Sequence, residues 1–515
     1  MLNAPTISTS TAPPAWWEKR WFLALMIALA VVPLLYPPVP PLVDLLGHMG
    51  RYRVQLDLDS SPFLSRYYGF HWAAIGNLGV DLLLMPLDPL IGLEPAVKLT
   101  VLCIPPMTVA GFIWVAYEVH HRVPPTALFA LPFAYSHPFM FGFVNFALSV
   151  ALAFLAFGLW LHLGARNKLR LRSALFVPIS IIVFFAHTFG WGMLGLLCFS
   201  AEAVRQHDQG RGWFRSAVNA ALHASVMALP LLIMVAWRSE AHGGMTRGWF
   251  DWDFKWKYLR QVLRDRWEWF DLASAGVVGL LLLAALFIRR LTFSRNLLFT
   301  AFVLLVCFLI LPRTVFGSTY ADMRLLPYVL ATAVLAIRFK GDTYVPLARM
   351  LAMLGLAFYL VRLSGATLSL AIAANEQEAE LHALDHIPMG ARVAWMTDEG
   401  ECGRIWALPR NSHLGAMVIV RREGFSNDQW VIEGVNLLDL KYHQAGRFRS
   451  DPSQIVRPRG CTGRGGWQVD RALEALPRDQ FDYLWLLRPP KYDARLVEGL
   501  TPVWRNGRSV LYRLH

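Results

Sequence analysis

The chain has 515 residues, of which 55% are hydrophobic and only 17% charged, and its mean hydropathy is +0.39. Because an ordinary soluble domain has about a quarter of its residues charged, this composition excludes a wholly soluble protein. The net charge of +13 does not indicate nucleic-acid binding, since membrane proteins concentrate lysine and arginine in cytoplasmic loops. We therefore expect an α-helical polytopic membrane protein that uses no nucleic acid and whose long apolar runs lie within residues 22–371.

The N-terminal residues 1–21 are predicted to form a cytoplasmic tail. Residues 1–15 are rich in serine, threonine and proline, and an aromatic and basic cluster follows at 16–21. The first apolar run begins at Phe22 and ends at Tyr36-Pro37-Pro38 without a small-residue cleavage site. We interpret this run as a retained signal-anchor helix.

Eleven segments are predicted to cross the membrane, since a spanning helix needs about 20 mostly apolar residues. They are residues 22–37, 97–117, 125–140, 143–163, 174–187, 190–204, 217–237, 272–288, 297–312, 325–338 and 345–371. Together they form a transmembrane domain over 22–371. Two long loops interrupt it, the first at 38–96 and the second at 238–271.

The distribution of lysine and arginine predicts the orientation. With a cytoplasmic N-terminus, the cytoplasmic segments hold sixteen of these residues, whereas the three short connections on the other side hold only Arg313 and Arg324. This bias follows the positive-inside rule. It places both long loops and residues 372–515 outside the cytosol, which in a bacterium is the periplasmic side of the inner membrane.

The second long loop mixes tryptophan with lysine and arginine, which predicts a helix in the lipid headgroup layer. Its tryptophans are Trp249, Trp252, Trp256, Trp267 and Trp269.

Residues 372–515 are predicted to form a small soluble α/β or α+β domain. Short β-like runs occur at 391–396, 416–420, 483–487 and 509–513, and a helical stretch at 469–476. Cys402 and Cys461 lie in this domain, and we expect them to form a disulfide if the domain is outside the cytosol.

The segment just after the first apolar helix contains the strongest candidate for chemistry. Asp44 and His48 are four residues apart, which on a helix puts both on one face. An acid and an imidazole together can accept and relay a proton. They would lie at the membrane–water boundary, where a lipid-borne substrate presents its head group. The alternative is a solvated helix with an incidental acid.

The rest of the first long loop is also rich in polar groups. Residues 71–81 are apolar with spaced polar side chains, which predicts a helix half-buried in the outer leaflet, with Asp81 as a functional acid. Asp57 and Asp59 resemble a metal-binding Asp-x-Asp pattern, although solvated loop acids have the same pattern. A divalent cation held by these two residues is therefore an open alternative.

This layout resembles the GT-C superfamily of membrane glycosyltransferases, which take sugars from polyprenyl-phosphate carriers. The similarity lies in the proline-terminated first helix, the motif from Asp44 to Tyr52, the long outside loop with two amphipathic segments, the number of helices and the C-terminal outside domain. The resemblance implies that Asp44 is the catalytic base. Many members have a second acid beside it, whereas this chain has Leu45, so neither a second acid nor a metal site is identified.

The resemblance also implies a set of substrate-binding residues. Arg324, in the segment 320–327, corresponds to an arginine that holds the carrier phosphate, and guanidinium binds phosphate through paired hydrogen bonds. An Asp322–Arg324 surface pair is the alternative. His187 would contact the sugar or phosphate, or else only cap a helix turn. Arg51, Asp81 and Asp322 complete the predicted set.

The leading hypothesis is an inverting transferase that moves a sugar from a polyprenyl-phosphate donor to a glycan, lipid or protein acceptor. A transporter or flippase of lipid-linked sugars is the first rival, and it predicts charges near mid-membrane, where Arg362 is the main example. A non-catalytic assembly or sensor protein is the second rival. A polymerase or ligase for a surface polysaccharide would share the lipid-linked substrate.

Overall fold

The computed structural model describes residues 14–515, except 241–244, 342, 399, 401, 403–404, 433–435 and 462–466. The helices are α1 (Arg20–Leu29), α2 (Val32–Leu35), α3 (Leu45–Asp57), α4 (Leu64–Tyr67), α5 (Gly79–Ile91), α6 (Leu93–His120), α7 (His137–Met140), α8 (Val144–Ala165), α9 (Leu169–Ala186), α10 (Thr188–Asp208), α11 (Trp213–Ala224), α12 (Leu229–Glu240), α13 (Trp252–Arg260), α14 (Glu268–Phe287), α15 (Arg295–Ile310), α16 (Leu326–Leu335), α17 (Val345–Leu381), α18 (Met417–Arg422) and α19 (Val469–Ala475). The strands are β1 (Tyr68–Phe70), β2 (Leu291–Phe293), β3 (Thr314–Val315), β4 (Ser318–Thr319), β5 (Ile337–Phe339), β6 (Arg392–Thr397), β7 (Phe425–Ser426), β8 (Leu438–Leu440), β9 (Val456–Arg457), β10 (Trp467–Gln468), β11 (Tyr483–Leu487), β12 (Thr501–Asn506) and β13 (Ser509–Arg513).

The N-terminal two thirds of the chain form a bundle of apolar helices. Among the described residues, five helices are long and apolar enough to cross a membrane, and the bent pair α11–α12 would make a sixth. Three shorter apolar helices cover 20–35, 295–310 and 326–335. Large apolar side chains such as Leu280, Phe287 and Met353 point outward, where lipid would cover them. This is the architecture of a multi-pass membrane protein.

One of the eleven predicted spans, residues 125–140, is not a continuous α-helix. Residues 125–140 instead form a buried 3-10 helix, Pro125–Tyr135, followed by the short α7. Pro132 and Pro138 lack the N–H that an α-helical ladder needs, so the segment cannot continue as one α-helix. The other ten predicted spans each overlap an α-helix.

The C-terminal domain contains a five-stranded mixed sheet in the order β12-β13-β11-β6-β7. Strands β11, β6 and β7 are parallel, whereas β13 is antiparallel to both of its neighbours. The predicted runs at 391–396, 483–487 and 509–513 are confirmed as β6, β11 and β13, and the helix at 469–476 is confirmed as α19.

The β-like run at 416–420 is wrong, because these residues end a 3-10 turn and begin helix α18. All five residues are buried. A short apolar run that is buried on every side has no periodicity that separates a strand from a helix.

The first long loop is part of the same compact unit as the C-terminal domain. Strand β1 pairs antiparallel with β8, with Tyr68 opposite Leu440. Helix α3 packs against α18, and Val54 lies in one buried core with Ile419 and Phe425. The N-terminal end of α3, where Asp44 lies, is thereby held against the C-terminal domain.

The predicted helix over residues 71–81 begins only at Gly79. In the irregular segment before it, the Leu78 amide donates to Phe185 O (2.7 Å), and Gly76 O accepts from the Thr188 amide (2.8 Å). Because these backbone groups bind the turn between α9 and α10, they are not available to a helix of their own.

A buried ionic network joins the second long loop to α17 and the C-terminal domain. Arg362 donates to Asp271 Oδ1 (2.7 Å), and Trp406 Nε1 donates to Asp271 Oδ2 (2.8 Å). Arg410 pairs with Asp265 (2.5 Å) and also binds the Pro41 carbonyl. The Arg362 charge that a transporter would use is thus neutralised by a structural partner.

The disulfide between Cys402 and Cys461 is present as predicted, with their Cα atoms 6.1 Å apart. We expect mass mapping under non-reducing conditions to find these two cysteines joined and Cys103, Cys198 and Cys307 free. Cys461→Ser should lower the stability of the C-terminal domain, by up to about 4 kcal/mol in the chain-entropy model. Two free thiols at 402 and 461 in protein isolated from the native membrane would contradict this expectation, and Cys307→Ser serves as the neutral control.

Candidate active site

A cavity of about 760 Å³ lies where the membrane helices, the start of α3 and the C-terminal domain meet. Its membrane side is formed by apolar side chains of α10, α12 and α15, and its opposite side by residues of the C-terminal domain. The acidic, basic and histidine residues that line it are Asp44, His48, His187, Arg324, His413 and Asp451. This is the place where four of the predicted site residues, Asp44, His48, His187 and Arg324, come together with groups from the C-terminal domain.

Asp44 is fixed at the N-terminal end of α3. Its backbone N–H donates to Phe141 O (2.9 Å), and its carbonyl accepts from the His48 amide (3.0 Å). Gly142, at φ +97°, lies so close that a Cβ there would be 2.6 Å from the Asp44 nitrogen. The Asp44 side chain is 18% exposed and faces the cavity. The predicted common face of Asp44 and His48 is present.

His48 is a half-buried imidazole of α3 that lines the cavity. Burial lowers its pKa well below the usual value, and the positive charges of Arg51 and Arg324 act in the same direction. Its Nδ1 has no hydrogen-bond partner among the described residues, and its ring meets Trp430 edge-on with centroids 5.2 Å apart. His48 can therefore accept a hydrogen bond inside the cavity.

Arg324 places a positive charge in an aromatic cage. Its guanidinium lies over Phe143 (4.4 Å), with Phe189 at 5.4 Å, and its Nη1 donates to Ser318 Oγ (3.2 Å). Burial lowers the pKa of Arg324 to about 10, which leaves it protonated at neutral pH. Its Nε has no partner, and no carboxylate of the described residues lies within ion-pair distance. Such a group is a ready anion site.

The Asp322–Arg324 surface pair considered from the sequence does not form. Asp322 is buried and pairs with Lys255 (3.1 Å), whose ammonium also donates to the Phe308 (2.7 Å) and Leu311 (2.9 Å) carbonyls. Asp322 does not line the cavity, so its predicted role in substrate binding is unsupported. It instead fixes the segment that holds Arg324.

Arg51 and Asp81 form a buried ion pair behind the cavity wall. Neither lines the cavity, but Asn145 does, and its amide donates to Asp81 Oδ2 (3.0 Å) and Asn77 O (2.9 Å). Arg51 and Asp81 therefore do not contact the cavity themselves; Asp81 holds the side chain of Asn145, which does.

His187 both caps a helix and lines the cavity. Its Nδ1 accepts a hydrogen bond from the Phe189 amide at the start of α10 (3.1 Å), which is the capping alternative from the sequence. The ring also packs edge-on against Phe146, with centroids 5.7 Å apart.

The proposed metal pattern has no support from its surroundings. Asp57 pairs with Arg53 one turn earlier in α3, and Asp59 is exposed. Neither lines the cavity. Within the described ranges, no three His, Cys, Asp or Glu side chains are grouped so that they could hold a metal ion.

Sequence reasoning missed the contribution of the C-terminal domain. His413 Nε2 lies 3.9 Å from Asp44 Oδ1, and its Nδ1 lies 3.9 Å from Asp428 Oδ2. Trp430 packs on both His413 and His48. These residues lie about 370 positions or more after Asp44 and form no local motif, so only the fold brings them together.

Comparison with known proteins gives a limited result. No protein-family model matches the sequence, and no curated protein matches it either. Among solved structures, the chain is similar to ArnT from Cupriavidus metallidurans bound to undecaprenyl phosphate, with 12% identity, 96% of this chain and 97% of that chain covered, and a TM-score of 0.48. A TM-score of this size assigns no activity.

Proposed function

We propose that this protein is an inverting membrane glycosyltransferase that takes a sugar from a polyprenyl-phosphate donor, with Asp44 as general base. The observation that supports it is one cavity, beside an apolar wall, that holds the Asp44 carboxylate and the buried guanidinium of Arg324, whose Nε has no hydrogen-bond partner among the described residues. A hydroxyl acceptor requires a base, and a polyprenyl-phosphate donor requires an anion site and an apolar surface.

The donor's carrier fits the membrane side of the cavity. Trp191, Leu196, Met234 and Leu311 form an apolar surface from α10, α12 and the end of α15, which suits an isoprenoid chain. The carrier phosphate would lie on Arg324, where a desolvated guanidinium binds an anion strongly. The sugar then lies between Arg324 and Asp44.

The chemical step moves one proton and one glycosyl group. Asp44 removes the proton from the acceptor hydroxyl, whose oxygen forms a bond to the anomeric carbon. The bond from that carbon to the phosphate oxygen breaks, and the polyprenyl phosphate leaves with the electron pair. Arg324 stabilises the charge that develops on this phosphate. The neutral His48 accepts a hydrogen bond from the sugar or acceptor.

A deletion strain tests the proposed function. We expect mass spectrometry to show loss of one sugar from a surface glycan, lipid or protein, with accumulation of one lipid-linked sugar. An unchanged set of glycans together with altered solute uptake would overturn the proposal in favour of a transporter. Unchanged glycans and unchanged uptake would favour an assembly protein.

The proposed orientation has the cavity and the C-terminal domain on the periplasmic side of an inner membrane. A dual reporter fused after residue 388, just beyond the end of α17, should therefore be active as a periplasmic enzyme and inactive as a cytoplasmic fluorophore. A fusion after residue 167, between α8 and α9, is the matched cytoplasmic control. The opposite pattern at 388 would contradict the orientation.

A further inference from the structure

His413 occupies a position between two carboxylates. Its Nε2 is 3.9 Å from Asp44 Oδ1 and its Nδ1 is 3.9 Å from Asp428 Oδ2, so the three side chains form a line from the cavity into the C-terminal domain. The side chain of His413 is 9% exposed and that of Asp428 is fully buried. Both distances are about 1 Å longer than a usual N–H···O hydrogen bond, so proton transfer requires the imidazole to move toward each carboxylate in turn.

The two facing atoms of His413 and Asp428 make no hydrogen bond of ordinary geometry, although backbone groups of Ala416 and Asp428 lie near them. His413 Nδ1 and Asp428 Oδ2 have no hydrogen-bond partner among the described residues, although the Ser426 hydroxyl donates to the other Asp428 oxygen (3.0 Å). Unpaired buried polar atoms are costly in a folded protein. These two atoms are 3.9 Å apart, so the imidazole has to approach Asp428 before a proton can pass between them.

The charges around His413 favour a pair that takes up a proton. Asp44 and His48 face it from α3, and Asp428 and Asp451 face it from the C-terminal domain. Burial lowers the pKa of His413, although the negative charge of Asp451 opposes this shift. Burial raises the pKa of Asp428 to about 8, and Asp451 adds to this rise. The ionised form of Asp428 is therefore a strong proton acceptor, and it lies beside a neutral imidazole.

We propose that His413 is a positioning residue for Asp44 and that the His413–Asp428 pair takes the proton which Asp44 has removed from the acceptor. The Asp44 proton moves to His413 Nε2 as the Nδ1 proton moves to Asp428 Oδ2. Asp44 is returned to its carboxylate form, Asp428 becomes neutral, and no charge is lost or gained. This inference rests on the proposed function, because it requires Asp44 to act as a base.

The relay gives the C-terminal domain a role in each turnover. While the donor and acceptor fill the cavity, water would have little access to Asp44. The relay would then carry the Asp44 proton away from the cavity, through His413 to Asp428 in the C-terminal domain. Trp430 holds the imidazole in place, with ring centroids 4.7 Å apart. Gly47 of α3 makes the contact possible, because a Cβ there would lie 2.5 Å from the Trp430 ring and 3.1 Å from His413.

The first test is His413→Gln in a sugar-transfer assay, with the lipid-linked sugar extracted from the deletion strain as donor. We expect kcat to fall at least about tenfold while the KM for donor stays within about twofold, since in the proposed arrangement the carrier phosphate is held by Arg324 and not by His413. His382→Gln, on the exposed segment after α17, is the matched control and should leave kcat unchanged.

The pH profile separates a relay from a purely structural contact. In the native protein, kcat should fall as the pH drops through about 8, the pKa of Asp428, because protonated Asp428 can accept no further proton from His413. In His413→Gln the path to Asp428 is gone, so the acid limb should move to lower pH, where Asp44 itself is protonated. Asp428→Asn should show the same loss, and added imidazole should partly restore His413→Ala.

Gly47→Ala tests the geometry without removing any ionisable group, and it should lower kcat. Gly276→Ala in α14 is the control and should leave kcat unchanged, because a Cβ there meets no atom within 4 Å.

If His413→Gln and Asp428→Asn keep the native kcat and pH profile while Asp44→Asn is inactive, the relay is overturned and the transferase stands. If Asp44→Asn is active as well, the proposed function itself has failed. Loss of activity without a shifted pH profile and without rescue by imidazole would also overturn the relay.

Discussion

Asp44→Asn should lower the rate of sugar transfer by at least about a hundredfold, the lower end of what a general base contributes. Asparagine keeps the shape of the side chain but has no basic oxygen to receive the acceptor proton. Folding should be unaffected, because the backbone contacts that fix Asp44, to Phe141 and His48, do not involve its side chain. The measurement is transfer from the extracted lipid-linked donor at equal amounts of each variant in the membrane.

The controls for this variant come from the same helix and loop. Asp57→Asn removes only a surface pair with Arg53, and Asp59→Asn changes an exposed side chain, so both should retain nearly full activity. Full activity of Asp44→Asn would remove the base from the mechanism. A strong loss at Asp57 or Asp59 would instead move the active site to a metal centre in this part of the loop.

Much of the fold could be predicted from the sequence, because long apolar runs and alternating strands have a strong periodic signal. Two of the errors occurred where burial removes that signal. Residues 125–140 and 416–420 are buried throughout, so their patterns did not distinguish a 3-10 helix from an α-helix, or a helix from a strand. The prolines in residues 125–140 were the available evidence against a continuous α-helix in that segment.

The candidate site was only partly predictable. Asp44, His48 and Arg324 could be found because each lies next to the end of an apolar helix, where a lipid-borne substrate is accessible. Arg51, Asp81 and Asp322 were assigned to substrate contact, whereas they form buried ion pairs that fix the cavity wall. The sequence around a charged residue is the same whether its side chain faces the cavity or forms an ion pair with another residue that keeps it away from the cavity.

His413 and Asp428 could not be found from the sequence, since nothing in their local segments predicts their approach to α3. Two features bring them there: the pairing of β1 with β8, and the packing of α3 on α18. The signal available was indirect. The first long loop contains a short aromatic run at 67–70 that suits a strand, and a lone strand requires a partner elsewhere in the chain.

Arg324→Ala should weaken binding of the polyprenyl-phosphate carrier and also slow the chemical step. A hydrogen bond from a charged donor is worth about 1.5–3 kcal/mol, so we expect the Kd for undecaprenyl phosphate, used as the probe, to rise by about tenfold to a hundredfold. The rate should fall further than binding alone explains, because Arg324 also stabilises the charge on the departing phosphate.

Arg324→Lys separates charge from shape. Lysine keeps the positive charge but cannot make the paired, planar contacts of a guanidinium, so we expect intermediate affinity. Arg313→Ala is the matched control, because Arg313 lies in the same connection and packs over Phe254 (3.5 Å) but does not line the cavity. Binding is measured in detergent or nanodiscs by competition between labelled and unlabelled undecaprenyl phosphate. Equal affinity in the native protein and in Arg324→Ala would show that the carrier phosphate binds elsewhere, and the donor site would then have to be sought away from Arg324.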